Sequence, residues 1–208
     1  MAAPGFDPDA HRIRGSSSDA AAWVAQSALP DDHKAVLQQF IARFPSLTFF
    51  KDDQALLDHV EQEERVKLPA WFRRQRQTLA FVAPPVHFRI DDFDQLGPRS
   101  DTLDRIWYAT DLYGYRDDEQ RELFLDKGAI FPFVQWPGTD RSLFAISTSD
   151  DSDEAIWEFA AEDMLDSVLD GEPAREALNK AFDSYASMLS HIIEIKDASG
   201  KVIARTGP

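Results

Sequence analysis

The apolar positions change their period along the chain. Val36, Leu37, Phe40, Ile41 and Phe44 return at three- and four-residue spacing, which is one face of an α-helix. Asp31 or Asp32 is placed to cap its first turn, and Pro45 to end it. Leu47, Phe49 and Phe50 predict a short extended piece. A second helix is expected after Asp52 or Asp53, with Leu56, Leu57 and Val60 inward. A third is expected after Leu68, with Pro69 in its first turn, where a missing N–H costs nothing. Trp71, Phe72 and Leu79 give that helix an apolar side, and Arg73, Arg74 and Arg76 are expected to face water.

After Pro84-Pro85 the period falls to two. Val86, Phe88 and Ile90 alternate with His87 and Arg89, the pattern of a half-buried strand, and a further strand is expected over 106–112. Three apolar runs follow at 130–136, 142–148 and 155–159, separated by Pro137-Gly138-Thr139-Asp140 and by an acidic, Ser-rich stretch over 149–154. Both separators carry strong turn chemistry, so the runs predict an antiparallel meander. Pro132 predicts an edge or a bulge in its first strand. Met164, Leu165, Val168 and Leu169 suit a short helix, ended by Gly171 and Pro173. A final helix is expected over 174–193, and a terminal hairpin over 193–203. Residues 1–29, rich in Pro, Gly, Ser and Asp without an apolar period, read as a flexible tail. The expected organisation is that tail followed by one α+β domain over 30–208: a twisted antiparallel sheet with a strand meander, flanked by helices.

Composition narrows the classes. The 208 residues include 37 acidic and 22 basic side chains, a net charge of −15, and no cysteine. Without cysteine there are no disulfides, thiolate metal sites or Cys nucleophile. The negative balance opposes general binding to phosphate backbones, which requires Lys and Arg, so no nucleic-acid partner is expected. No run of about 18 apolar residues is present, so no membrane span is expected. The N-terminus lacks the basic and apolar regions of a signal peptide, and a cytoplasmic location is the expectation. The charge is uneven. Residues 67–90 carry five basic and no acidic side chains, whereas residues 150–176 carry eleven acidic and one basic, a net −10.

The sequence carries few motifs of known chemistry. His11, His33, His59, His87 and His191 show no four-residue spacing and read as surface or packing histidines. There is no G-x-S-x-G, no P-loop and no G-x-G-x-x-G. The run Asp150-Asp151-Ser152-Asp153-Glu154 lacks the alternating ligands and the glycine of an EF-hand loop. It is open to three readings: a cation loop, a solvated turn, or part of an acidic partner-binding face. Trp136, at a strand end beside Pro137-Gly138, is either core or an exposed binding anchor. No catalytic residue, metal ligand or cofactor-binding residue is expected.

Two segments together resemble the SUKH superfamily, which includes fungal cell-wall synthesis regulators and many bacterial immunity proteins. One is Glu63-Glu64-Arg65-Val66-Lys67-Leu68-Pro69-Ala70-Trp71-Phe72, similar to the family's Leu-Pro followed by an aromatic-bearing helix. The other is residues 131–163, similar to its meander, with an amphipathic helix around 181–189 resembling its closing helix. The chain departs from the pattern at 77–85, where the family usually has an Asn-Gly-Gly-like turn. The resemblance implies an α+β fold and a non-enzymatic role: an immunity protein that neutralises a cognate toxin domain, such as a nuclease, by direct binding. A cytoplasmic adaptor of the cell-wall-regulator type and a carboxylate-dependent hydrolase are the alternatives. The expected partner is a basic toxin domain, met by a negative surface centred on Asp150, Asp151, Asp153 and Glu154 and extending toward Asp163 and Asp166, with Trp136 as an aromatic contributor. Ala145 and Ser147, both small, are expected to leave a shallow exposed face along the middle strand of the meander.

Overall fold

The computed structural model describes residues 6–80, 86–90, 105–109, 118–135, 142–196, 199 and 201–205. The fold is α+β with antiparallel sheets, as the change of period requires. Two strands, β1 (Arg12–Gly15) and β2 (Phe49–Asp52), pair antiparallel. Among the described residues, the other eight strands form one antiparallel sheet. In chain order they are β3 (Val86–Ile90), β4 (Arg105–Ala109), β5 (Ile130–Gln135), β6 (Ser142–Ser147), β7 (Ile156–Ala160), β8 (Asn179–Phe182), β9 (Ile192–Lys196) and β10 (Val202–Arg205). The spatial order is β10-β9-β3-β4-β5-β6-β7-β8. The meander β5-β6-β7 and the terminal hairpin β9-β10 stand where the sequence predicts them. The register of β5 against β6 slips between Pro132 and Val134, the bulge that proline demands.

Helices cover both faces of the sheet. Four lie in the first half of the chain: α1 (Ser17–Gln26), α2 (Asp31–Arg43), α3 (Gln54–Glu64) and α4 (Ala70–Thr78). With β1 and β2, they close a core in which Leu37, Phe40, Leu57 and Phe72 meet Phe131, Phe144, Ile146 and Ile156 from the sheet. Because side chains alternate along a strand, Leu143 and Ala145 of β6 point the other way. That second face is covered by Phe124 from a wide π-helical turn (Glu122–Lys127), by Met164 of α5 (Ala161–Leu169) and by Ala174 of a 3-10 turn (Ala174–Ala177). Ala145 and Ser147 are therefore fully buried, and the exposed face expected along β6 does not exist.

Three other expectations are corrected. Residues 6–29 are not a loose tail. They form a 3-10 turn, β1 and α1, and Ala20 and Val24 are 0% exposed in the main core. The signal lay in Ser16 and Asp19, a reciprocal capping box. The Ser16 hydroxyl accepts from the Asp19 N–H at 3.3 Å, and the Asp19 carboxylate accepts from the Ser16 N–H at 2.8 Å. The helix expected over 174–193 is instead the 3-10 turn, β8 and α6 (Tyr185–Ser190), leading directly into β9. The Ser184 hydroxyl accepts the Ser187 N–H at 3.1 Å and starts α6 eleven residues late. Finally, Asp31 and Asp32 lie inside the first turn of α2, whose cap position is Pro30 and has no side-chain cap.

Candidate functional site: an acidic helix beside the meander

The acidic turn between β6 and β7 is largely committed to holding the fold. Asp150 accepts from the Ser152 N–H at 2.8 Å and the Ser152 hydroxyl at 2.7 Å, bonds that hold its carboxyl below the usual range. Asp151 accepts from the Ala70 N–H at 3.3 Å, setting a negative charge on the first residue of α4. Asp153 accepts from the Ala155 N–H and from the indole N–H of Trp157, both at 3.1 Å. Glu154 lies 3.7 Å from His33 of α2. Arg175 donates to the hydroxyls of Ser147 at 3.1 Å and Ser149 at 3.2 Å, and stands 3.9 Å from Asp153. The turn thus ties the meander to α2, α4 and the 3-10 turn. Asp150 and Asp151 are exposed, while Asp153 and Glu154 are half-buried.

Asp163 and Asp166 sit elsewhere, on α5. The chain leaves the acidic turn along β7 and enters α5 at the far end of the strand. It then runs back over the Leu143–Ala145 face until Arg175 reaches the turn again. Met164 is buried and Val168 half-buried against the sheet. One residue further round, Leu165 is 46% and Leu169 73% exposed. At 3.6 residues per turn, an apolar arc of four such residues is wider than this short helix buries. Glu162, Asp163, Asp166, Asp170 and Glu172 are all exposed. Among the described residues, none of the five has a basic side chain at ion-pair distance, and the last turn of α5 holds no basic residue. Asp166 and Asp170 lie toward the C-terminus of α5, where the helix dipole disfavours negative charge. Glu162, Asp166 and Asp170 are also like charges at i, i+4. The structure therefore brings Asp163 and Asp166 together with Leu165 and Leu169, and separates them from the structural carboxylates of the turn. Trp136 lies outside the described residues.

The basic helix face is also redistributed. Arg73 bonds Asp58 at 2.6 Å and lies 2.7 Å from Glu61. Arg76, expected in water, is 2% exposed and donates to the buried Asp52 at 2.7 Å, with Arg12 close to the same carboxylate at 3.7 Å. Arg76 falls four residues after Phe72, hence on the inner side of α4. Among the histidines, His11 and His59 both stack on Phe6, and His191 packs on Phe182. A small cleft between α2, α4 and the acidic turn, lined by His33, Trp71, Glu154 and Tyr185, has room for about one water molecule. No group of three or more His, Asp or Glu side chains is arranged to hold a metal ion among the described residues, and no described helix is long and apolar enough to cross a membrane.

No protein-family model, curated protein or solved structure matches this chain.

Proposed function

We propose that this chain is a non-enzymatic protein-binding domain, an immunity protein that neutralises a basic toxin domain by direct contact. The observation that carries the reading is the set of exposed carboxylates on α5 with no cationic partner among the described residues, on a chain of net charge −15. Glu162 and Asp163 suit the first turn of α5, but Asp166 and Asp170 lie toward its C-terminus, where the helix dipole opposes them. A cationic partner gains a faster encounter and a favourable field. The similarity of residues 63–72 and 131–163 to the SUKH pattern supports the same class of activity. The acidic turn contributes less than its charge suggests, since Asp151 and Asp153 are engaged inside the fold.

The test is neutralisation. The chain is co-expressed with the toxin domain encoded beside its gene, and growth is followed together with titration of the purified pair. The expected result is rescued growth and a one-to-one complex whose association slows as salt rises. A toxin that kills equally well in the chain's presence and forms no complex overturns the proposal. So does a gene neighbourhood that encodes no such toxin.

A further inference from the structure

We infer that α5 is a docking ridge for a basic amphipathic helix of a partner protein, anchored on Leu165 and Leu169. The inference rests on the protein-binding reading above and names the recognition element it uses. The two leucines are four residues apart, so they stand about 6 Å apart along the axis and form one i±4 ridge, the shape that packs into the groove of another helix. Glu162 and Asp166 flank that ridge on its solvent side, and Asp163 and Asp170 extend the negative band around the helix. The patch is thus an apolar strip with an acidic border, and its complement is an apolar strip with a cationic border.

Charge decides the occupant. A second copy of the chain would bring two acidic bands together, with net charge −15 on each protomer. Nucleic acid and anionic lipid carry the wrong sign. A segment with Leu-like side chains bordered by Lys or Arg satisfies both the exposed apolar area and the carboxylates that oppose the helix dipole. The ridge is also well seated. Gly171, at φ 81°, closes α5 with bonds from Glu172 N–H to Ser167 C=O at 2.8 Å and from Gly171 N–H to Val168 C=O at 3.2 Å. That paired pattern is a Schellman motif, which holds the last turn and Leu169 with it.

The probe is a fluorescein-labelled 18-residue helix-forming peptide of Leu and Lys, titrated by anisotropy against the full chain. A Lys/Gln peptide of the same charge is the control. In Leu165→Gln/Leu169→Gln the Leu/Lys peptide is expected to bind on the order of tenfold more weakly, while the Lys/Gln peptide is unaffected. In Glu162→Gln/Asp166→Asn both peptides are expected to weaken, with a flatter dependence on salt. Gln and Asn at these exposed positions leave the helix intact, which circular dichroism verifies. Equal affinity of the Leu/Lys peptide for wild type and the leucine variant overturns the inference. A wild-type dimer that becomes monomeric in the leucine variant by light scattering also overturns it, because the ridge is then a self-interface. Failure of toxin neutralisation leaves this titration readable, since it uses no toxin. Neutralisation that survives the leucine substitutions overturns the docking ridge while the immunity reading stands.

Discussion

Asp52 is buried between two arginines, and its surroundings show how much one residue can hold. Its carboxylate takes a 2.7 Å hydrogen bond from Arg76 and faces Arg12 at 3.7 Å, with all three side chains withdrawn from solvent. Replacing Asp52 with Asn removes the charge that faces the buried guanidinium groups of Arg76 and Arg12, the latter also paired with Asp9 at 3.3 Å. Breaking a buried pair from one side costs about 3–5 kcal/mol, so the Asp52→Asn variant is expected to lose that much in urea denaturation. A loss below about 1 kcal/mol contradicts this account. On the surface, Asp58 behaves differently. Bonds from Arg73 and Gln54 hold its carboxyl below the ordinary range. A depressed carboxyl contributes stability above the unfolded value of about 3.9, and that contribution is lost as pH falls through the lower folded value. Asp58→Asn is therefore expected to flatten the acid limb of the stability profile below about pH 4, and to leave its shape near pH 7 unchanged. A denaturation series from pH 2 to pH 7 checks it.

At the scale of elements, left-handed backbone carries a measurable cost where the residue is not glycine. Ala129 follows the π-helical turn at φ 50°, a left-handed conformation that a side chain resists. Ala129→Gly is expected to raise stability by about 0.5–1 kcal/mol, read as a higher urea midpoint at constant slope. Gly171 occupies the same region at φ 81°, where Gly171→Ala is expected to lower stability by about 1 kcal/mol, although no neighbouring atom would meet the added methyl. These elements also show what the sequence made legible. The period-two runs and the turn residues between them located β3, β5, β6, β7 and the β9-β10 hairpin. Asp53 marked the start of α3, whose cap bond to the Leu56 N–H is 2.9 Å. The segment over 174–193 misled, because Leu178, Phe182, Tyr185 and Leu189 keep a helical spacing although Leu178 lies between the 3-10 turn and β8, Phe182 ends β8, and Tyr185 and Leu189 belong to α6. Pairing of β8 with β7 is a long-range contact that local period does not encode. The site was half legible. Charge counting found the acidic stretch. Which carboxylates are free depended on partners distant in sequence: Ala70 for Asp151 and His33 for Glu154.

Over the whole molecule, the N-terminal 29 residues decide whether the remainder is a self-sufficient domain. Strand β1 pairs with all four residues of β2, and Arg12 stands at the end of that ladder beside Asp52. Helix α1 packs on α2 and on β2, with Val24 and Leu29 buried in the same core as Leu37 and Phe49. Gly15 lies directly under the Trp23 ring, where a methyl group would sit 2.6 Å from the indole. Removing residues 1–29 would therefore uncover one side of the main core, leave β2 without its antiparallel partner, and take Arg12 from the buried carboxylate. Each fully buried apolar side chain is worth about 1.5–3 kcal/mol, and several are lost together. Against a typical total stability of about 5–15 kcal/mol, the truncated chain is expected to be unfolded or nearly so at 25 °C. Urea denaturation of the 30–208 fragment beside the full chain measures this directly. A fragment within about 1 kcal/mol of the full chain would mean that the N-terminal segment packs without contributing, and that the domain begins near Pro30.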